Sequence, residues 1–427
     1  MRRMKVMALL VCCAIASNAA VVFRIDSFQS SGELSLADAF TNGVVTVEHA
    51  DTPSGPWTPL LNHFSTNQQP HLHTPTGGNR AFYRALNFDL RGTPGFTNLI
   101  NSYSTLSTVA GAGGATGSGI NKWRPEFENA PATSAQLSRP HIAMADTNGN
   151  IFIADKDAHG IRKVTPAGII STVAGTSVPG NGPDVQTLGT QVTLNEPNGL
   201  WVTRPGIVFV LDLQNGKIRR LDHDGTMRTL FSVPGGIASG RGLWVSDDET
   251  LAYLCSGTTV KKWTPAGGVV DFATGFQQLG MLVIDPRGNV VVADRSAHRV
   301  YRLESDGVGR TVIAGNGTTS GGGDGQLATA TGLAQVRAIW FLPTGAFVVG
   351  TDSGARIWYV DTDGIIRLFL NGAAGNAHAG DGSWFYNPQE ARTGPVRAIT
   401  TDHQGNLLIT EHDAGYIRKI DFQRHLP

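Results

Sequence analysis

The sequence predicts an all-β protein, a six-bladed β-propeller closed by an N-terminal strand and preceded by a small β module. Three observations lead to this prediction. Glycine supplies 53 of the 427 residues, above the usual share of about 7%, which indicates many turns. Short apolar runs with period-2 alternation are separated by turn residues along most of the chain. One pattern also returns six times at intervals of about 40 to 60 residues, as in blade-type repeats.

The repeat is defined by its spacing. A turn glycine is followed six residues later by a polar residue, then by a branched apolar residue, and then by a hairpin glycine, as in Gly149, Asp155, Ile161 and Gly168. The later copies carry Gly206, Asp212, Ile218 and Gly225; Cys255, Val260 and Gly267; Gly288, Asp294, Val300 and Gly307; Gly345, Thr351, Ile357 and Gly364; and Gly405, Glu411 and Ile417.

Each copy encodes four short strands, which in the first copy are expected at residues 142–145, 151–154, 161–164 and 169–175. Four short antiparallel strands per repeat are typical of a propeller blade. The sixth copy lacks its fourth strand before Pro427, whereas residues 104–111 match a fourth strand and precede the first copy. We therefore expect this N-terminal strand to complete the last blade, so that no blade edge stays open.

These motifs resemble a known family. The run Pro140-x-Ile142-Ala-x-x-Asp146-x-x-Gly149-Asn-Ile-Phe-Ile-Ala-Asp155, followed by Ile161-Arg-Lys-Val, resembles the consensus of NHL-repeat six-bladed propellers. The second and third copies depart from it, with Thr203 and Ser246 in place of the aspartate after the first strand. The linkers resemble those of teneurin-type NHL domains, with Ala314-Gly-Asn-Gly317, Gly323-Asp-Gly325 and Gly380-Asp-Gly382.

The rest of the chain is expected to be a leader and a module. Residues 1–20 resemble a signal peptide: Arg2, Arg3 and Lys5 precede an apolar stretch at 6–16 and a small-x-small cleavage pattern at 17–19. Residues 21–91 are expected to form the small β module, 92–101 a linker and 102–427 the propeller. We expect a bacterial protein exported to the periplasm, cell envelope or medium, with no transmembrane segment. Cys255 alone remains after cleavage, so no intramolecular disulfide is predicted.

The small module has features of its own. Trp57 and Phe82-Tyr83-Arg84 resemble a short module near the N-termini of secreted proteins from environmental bacteria. His71 and His73 would share one face of an extended segment, and His63 could join them in a metal site. The alternative is that these histidines are solvated, since no acidic or thiol partner is nearby. A glycan-binding role for the module, with the propeller as scaffold, also stays open.

The candidate site is the mouth of the central channel. The residue just before the innermost strand of each blade recurs six times around this mouth, at His141, Asn198, Arg241, Gly280, Arg337 and Arg397. We take the five that carry side chains as candidate ligand-binding residues. The arginines can bind an anion through charge-assisted bonds. Alternatively, they stack on neighbouring blades or pair with a loop acid such as Asp146 or Asp402.

Enzymatic function is the alternative to binding. Gluconolactonase-like propellers bind a divalent cation near this mouth, and Pro197-Asn198-Gly199 resembles their Asn motif, but the partner acids are missing here. Lyase propellers of the peptidyl-hydroxyglycine type use several histidines for zinc, whereas this ring holds His141 alone. We therefore predict no metal, no cofactor and no catalytic residue, with a lactonase- or lyase-like enzyme as the alternative.

The remaining polar motifs favour structural roles. Asp155, Asp212 and Asp294 are expected to accept backbone N–H bonds, and the Gly-Asp-Gly linkers are expected to be turns. Cys255 is expected to be a buried small hydrophobe. Lys plus Arg and Asp plus Glu are both 34, so no nucleic-acid partner is indicated. The predicted partner is a protein, a glycan or a small anionic ligand, bound by a monomer.

Overall fold

The computed structural model describes residues 23–29, 33–40, 43–55, 57–65, 68–73, 82–89, 104–114, 117–203, 206–342, 345–370, 378–381 and 392–422. The chain divides into two compact units, one of Met1–Ser104 with Phe422–Pro427 and one of Thr105–Asp421. The signal peptide and the linker expected at 92–101 lie outside the described residues. Within the described ranges, no helix has the length and apolar character needed to cross a membrane.

The N-terminal unit contains two three-stranded antiparallel sheets in its described part. Its strands are β1 (Arg24–Phe28), β2 (Glu33–Ala37), β3 (Gly43–Ala50), β4 (Thr58–Ser65), β5 (His71–His73) and β6 (Phe82–Asp89). The sheet orders are β1-β2-β5 and β4-β3-β6. Leu34, Leu36, Val45 and Val47 form the buried core between turn-rich connections.

The histidines of this unit are divided between its two sheets. His63 lies on β4, whereas His71 and His73 lie on β5. The Nδ1 atom of His71 is 2.9 Å from the Ser35 hydroxyl. No cluster of three or more potential metal ligands occurs in the part of the chain that the structure describes. The His71 hydrogen bond agrees with a histidine in a polar surface setting.

The second unit is built almost wholly from short strands. They are β7 (Ser104–Ala110), β8 (Ala130–Pro131), β9 (Pro140–Ala145), β10 (Ile151–Asp155), β11 (Gly160–Val164), β12 (Ile169–Ala174), β13 (Thr187–Leu188), β14 (Pro197–Val202), β15 (Val208–Asp212), β16 (Lys217–Leu221), β17 (Thr226–Ser232), β18 (Leu243–Val245), β19 (Ala252–Ser256), β20 (Thr259–Thr264), β21 (Gly268–Ala273), β22 (Leu279–Ile284), β23 (Val290–Asp294), β24 (Arg299–Leu303), β25 (Arg310–Ala314), β26 (Val336–Phe341), β27 (Phe347–Thr351), β28 (Ile357–Val360), β29 (Ile366–Leu370), β30 (Val396–Thr401), β31 (Leu407–Glu411) and β32 (Tyr416–Phe422). Single-turn 3-10 helices lie at Pro125–Phe127, Ala132–Ser134, Lys156–Ala158, Gly189–Gln191, Leu213–Asn215 and Ala328–Ala330.

These strands form six sheets, which are the blades of a propeller. In chain order the blades are β8-β12-β11-β10-β9, β13-β17-β16-β15-β14, β18-β19-β20-β21, β22-β23-β24-β25, β26-β27-β28-β29 and β30-β31-β32-β7. The innermost strands are β9, β14, β18, β22, β26 and β30, and each contacts the next, with β30 returning to β9. The six-bladed ring predicted from the repeat is therefore present.

Blade six is completed by the N-terminal strand, as predicted. β7 lies beside β32 at the outer edge of this blade. Leu106 and Ala110 on β7 are fully buried. Ala110 belongs to a core cluster with Leu408 and Ile417 of blade six and Ile153 of blade one. The closing strand thus joins the last blade to the first through a shared core.

The linkers between blades differ in length, and this difference shapes the mouth. Residues 111–139, 175–196, 315–335 and 371–395 are long linkers, which precede blades one, two, five and six. In blades one and two the linker adds a fifth strand, β8 or β13, which the four-strand prediction lacks. Short linkers, at 233–242 and 274–278, precede blades three and four.

Three blades contain a fully buried ion pair that joins the second strand to the third. Nε of Arg162 lies 3.3 Å from Oδ2 of Asp155, and Nε of Arg219 lies 3.0 Å from Oδ2 of Asp212. In blade six, Glu411 is paired with Arg418 at 3.1 Å. The carboxylate and guanidinium stand seven residues apart in each pair. A buried charge needs such a partner, because removing one side of the pair leaves the other uncompensated.

Shortening Leu106 tests the closure by β7. The variant Leu106→Ala should lower the free energy of unfolding by about 2–5 kcal/mol, since it opens a cavity in the core that blade six shares with the closing strand. The measurement is equilibrium unfolding in urea. Leu188→Ala is the matched control, because Leu188 is 47% exposed and its loss should change stability by less than about 0.5 kcal/mol. Equal midpoints for the two variants would contradict the closure.

Candidate functional site

The six candidate positions lie where the inner strands begin. In blades one, two, five and six the pairing of the inner strand with its neighbour shifts by one residue at this point, for example between Pro197 and Gly199. His141, Asn198, Arg337 and Arg397 are the extra, bulged residues. Bulges of this kind re-aim side chains next to binding sites. In these four blades the candidate residue thus occupies the same local position at the start of its inner strand.

A carboxylate at the end of the second strand fixes the start of the inner strand. Oδ1 of Asp155 accepts a hydrogen bond from the backbone N–H of Ser138. Oδ1 of Asp212 accepts one from Asn195 at 2.8 Å. Asp294 accepts two, from Gln277 and Gln278, each at 2.9 Å. The predicted role of these aspartates as acceptors of backbone N–H groups is confirmed; the buried arginines behind Asp155 and Asp212 were not predicted.

The channel is filled by tryptophans deeper in the ring. Trp201 lies on the inner strand of blade two and Trp340 on that of blade five, which stands opposite in a six-membered ring. Their ring centroids are 6.1 Å apart, and Trp244 of blade three lies 6.2 Å from Trp201. These side chains therefore meet across the axis. A ligand that enters from the ring of candidate residues meets an aromatic floor.

A cavity of about 480 Å³ opens beside the axis at the mouth. His141, Asn198 and Arg241 of the predicted ring face it, together with residues 237–240 and 278–279 of the two short linkers. Arg337 and Arg397 do not line this cavity. Gly280 adds no side chain, since a Cβ there would lie 2.6 Å from the carbonyl oxygen of Arg337. The structure thus divides the predicted ring into a cavity group and a second group.

Arg337 and Arg397 form the second group, and each has an acidic partner. Nη2 of Arg337 lies 2.8 Å from Oδ2 of Asp352. Nη2 of Arg397 lies 2.7 Å from Nδ1 of His412 and 4.0 Å from Oδ1 of Asp413. Burial, offset in part by Asp352, lowers the pKa of Arg337 to about 10. Arg337 is therefore cationic near neutral pH, and its charge is partly compensated by Asp352.

The prediction that the ring arginines pair with Asp146 or Asp402 is wrong. Oδ1 of Asp146 accepts backbone N–H bonds from Asn148 and Asn150 in the turn that follows β9. Asp402 does the same in the turn after β30. These turns follow the inner strands, whereas the ring residues precede them. The length of the inner strand separates these turns from the ring residues at its start. The arginines pair instead with acids that follow the second strands.

Arg241 differs from the other two arginines because no carboxylate of the described residues forms an ion pair with it. Its Nε and Nη1 atoms are buried and have no hydrogen-bond partner in that part of the chain. The segment at the end of the second strand of its blade, Ser256-Gly257-Thr258, contains no acid. The corresponding segments of blades five and six contain Asp352 and Asp413. Burial and the neighbouring Arg337 lower the pKa of Arg241 to about 9. A guanidinium group in this state attracts an anion.

Two imidazoles lie between the arginines. The rings of His141 and His412 are 4.5 Å apart, and Nδ1 of His412 contacts Oδ1 of Asp413. Burial lowers the pKa of His412 to about 4, although Asp413 opposes this shift. Burial and then His412 and Arg241 hold the pKa of His141 well below its usual value. Both rings are therefore neutral at pH 7.

Asn198 lines the cavity and carries an acceptor without a partner. Its Nδ2 donates a hydrogen bond to the carbonyl oxygen of Gly240, which fixes the orientation of the amide because a carbonyl can only accept. The Oδ1 atom is buried and has no partner among the described residues. Nδ1 of His141 is likewise buried and has no hydrogen-bond partner among the described residues. The mouth thus combines unpartnered guanidinium donors with two further unpartnered polar atoms.

Sequence reasoning missed several residues of the mouth that share one repeat position. They directly follow the last residue of the second strand, and they are Lys156, Arg295, Asp352 and His412. Lys156 and Arg295 line the cavity. The same counting that identified the ring residues would have identified this position. The predicted burial of Cys255 is confirmed, and burial raises the pKa of its thiol to about 12.

Comparison with known proteins supports a propeller-type fold. The chain is similar to a protein of unknown function from Bacteroides thetaiotaomicron, with 12% identity, a TM-score of 0.60 and coverage of 93% of this chain and 98% of that one. It is also similar to an auxiliary nutrient binding protein from the same organism, with 13% identity, a TM-score of 0.55 and coverage of 94% and 97%. A further similar structure is a nutrient binding protein from Bacteroides ovatus, with 13% identity, a TM-score of 0.54 and coverage of 91% and 94%.

A proposed gluconolactonase is similar as well, with 12% identity, a TM-score of 0.51 and coverage of 79% of this chain and 99% of that one. No family model and no curated protein matches the sequence. At these identities the likeness concerns the fold alone. The function therefore has to be argued from the mouth itself.

The buried histidine pair should make the protein sensitive to acid. His412 titrates near 4 when folded and near its ordinary 6.5 when unfolded. The unfolded state therefore takes up the proton first, and stability should fall as the pH drops from about 6.5 towards 4. In His412→Gln this part of the loss should disappear, whereas the exposed-site control His223→Gln should keep it. The measurement is the free energy of unfolding against pH; parallel curves for all three proteins would contradict the assignment.

Proposed function

We propose that this protein is an exported propeller-type binding protein that holds a small anionic ligand at the channel mouth. The observation that carries the proposal is Arg241, whose buried Nε and Nη1 atoms have no partner in the protein. Leaving buried donors unpaired costs about 1–3 kcal/mol per group, and more for a charged group. A bound carboxylate, sulfate or phosphate would remove this cost.

The other ring arginines support the same function. Nε and Nη1 of Arg337 and Nε of Arg397 are also buried without a partner, although the Nη2 atom of each is paired. Asp352 and His412 thus each meet only the Nη2 nitrogen of one guanidinium group. Arg295 also lines the cavity and raises the positive potential further, whereas Lys156 is paired with Asp157 and Glu196. This charge distribution favours an anion and disfavours a divalent metal ion.

The finer assignments are part of the proposal. We propose that the blades are NHL-type repeats with teneurin-like linkers, since the quoted motifs carry the resemblance. We also propose that residues 1–20 direct export and that the domain bounds are 21–91 and 102–427. The fold shared with auxiliary nutrient binding proteins is compatible with ligand capture outside the cytoplasm. The proposed protein works as a monomer.

A lactonase- or lyase-like enzyme is the second candidate. One observation favours it: His412 contacts Asp413 and lies beside His141, and a carboxylate-bound imidazole can move protons. Against it, His412 is fully buried. Turnover of a lactone or ester that is lost in His412→Gln but kept in Arg241→Gln would favour the enzyme.

Anion-dependent thermal unfolding tests the binding function. At constant ionic strength, sulfate and succinate should raise the melting temperature saturably, and the stabilisation should approach about 2.7 kcal/mol at one hundred times Kd. Arg241→Gln should lose this gain. Arg287→Ala is the control, because Arg287 is an exposed arginine in the turn after β22. Equal, unsaturable responses in the parent and in Arg241→Gln would overturn the proposed function.

A further inference from the structure

We propose that the ligand is a small hydroxy acid, whose carboxylate binds Arg241 and whose hydroxyl group binds Asn198 and His141 beside the channel axis. This inference rests on the proposed function and names the class of ligand. All three residues line the cavity of about 480 Å³, which lies within the usual range of about 300–1,000 Å³ for small-molecule sites. Arg337 and Arg397 do not line it. The ligand therefore lies to one side of the ring, under the short linkers.

Arg241 provides the site for the carboxylate. Its Nε and Nη1 atoms both lack partners in the described part of the chain. Nη2 shares one edge of the guanidinium group with Nε and the other edge with Nη1, so a carboxylate in a bidentate pair meets Nη2 and one of these unpartnered atoms. Arg295, the nearest other arginine of the cavity, is already bonded to Gln335 at 2.6 Å. The geometry thus assigns the charged end of the ligand to Arg241.

The Oδ1 atom of Asn198 needs a hydrogen-bond donor, which a simple carboxylate ligand does not have. The side chain is 3% exposed, and its orientation is fixed by the hydrogen bond from Nδ2 to Gly240. Its Oδ1 atom is therefore an acceptor that is buried beside the cavity and has no partner among the described residues. An anion oxygen placed against Oδ1 would be repelled, whereas a hydroxyl group can donate a hydrogen bond to it. A hydroxyl group on the ligand resolves this conflict.

His141 completes the site for the hydroxyl group. It is 5% exposed and its Nδ1 atom has no partner. A neutral imidazole donates from one nitrogen and accepts at the other, and a hydroxyl group can meet either state because it both donates and accepts. The same hydroxyl can thus donate to Asn198 and accept from His141. A sulfate oxygen cannot do both, because it can only accept hydrogen bonds.

The carboxylate that lines the cavity does not oppose this arrangement. Oε2 of Glu196 lies 3.1 Å from Nζ of Lys156 and 3.1 Å from Nε2 of Gln214. Its charge is therefore compensated within the protein. Gln278 accepts hydrogen bonds from Arg295 and Ser296. Among the described residues that line the cavity, the buried polar atoms without a partner thus lie on Arg241, Asn198 and His141, which sets the position of both functional groups of the ligand.

The test compares succinate, malate and tartrate, which differ in hydroxyl groups on one dicarboxylate frame, by isothermal titration calorimetry. Malate or tartrate should bind about five- to tenfold more tightly than succinate, since one added hydrogen bond of about 1 kcal/mol has this effect. Erythritol, which has hydroxyl groups and no carboxylate, should not bind measurably. Arg241→Gln should lose all three dicarboxylates.

The variant Asn198→Ala should still bind succinate and should lose the preference for malate. Asn148→Ala, an exposed asparagine in the turn after β9, should keep it. His141→Leu gives a second measurement if Asn198→Ala does not fold, and it should reduce the preference too. Equal affinity of the parent for succinate and malate would overturn this inference and leave the proposed function standing. Failure of sulfate and of every dicarboxylate to bind would overturn both.

Discussion

The carboxylate that ends the second strand of a blade is the group on which the channel mouth depends. In blades one and two it accepts the backbone N–H of the residue three positions before the ring residue, and a fully buried arginine holds it in place. This contact fixes where the linker stops and the inner strand begins. The bulge that follows then turns the ring residue, His141 or Asn198, into the mouth.

Blade three departs from this arrangement, and the proposed binding site lies at this blade. Cys255 stands where the other blades carry a polar residue, and the short linker at 233–242 enters without a strand of its own. The turn after its second strand offers no acid to Arg241. Local rules of a repeat are expected to fail at functional sites, and this expectation supports the proposed role of Arg241.

Much of the fold could be predicted, because the determining signals are local. Period-2 runs and turn glycines located the strands, and the strand at Ser104–Ala110 could be matched by its own sequence to the missing strand of blade six. The ring residues were found by counting within the repeat. These inferences need only the position of a residue along its own blade.

The remaining features depend on contacts that repeat counting does not contain. Asp352 and Asp413, rather than Asp146 and Asp402, meet the ring arginines because the strand ends alternate between the two faces of the ring. The meeting of Trp201 with Trp340 depends on blades that lie opposite one another. In the sequence alone, buried arginines such as Arg162 resemble surface residues of a strand. Only the structure shows the carboxylate that pairs with them.

The central claim is that Arg241 is completed by an anion from solution. The most direct measurement is a crystal structure of the protein in selenate, whose selenium gives an anomalous signal. The account predicts a peak at the mouth, with selenate oxygens within about 3 Å of Nη2 and of either Nε or Nη1 of Arg241. No peak at the mouth, with the Arg241 guanidinium group paired instead to a carboxylate of the protein, would contradict it.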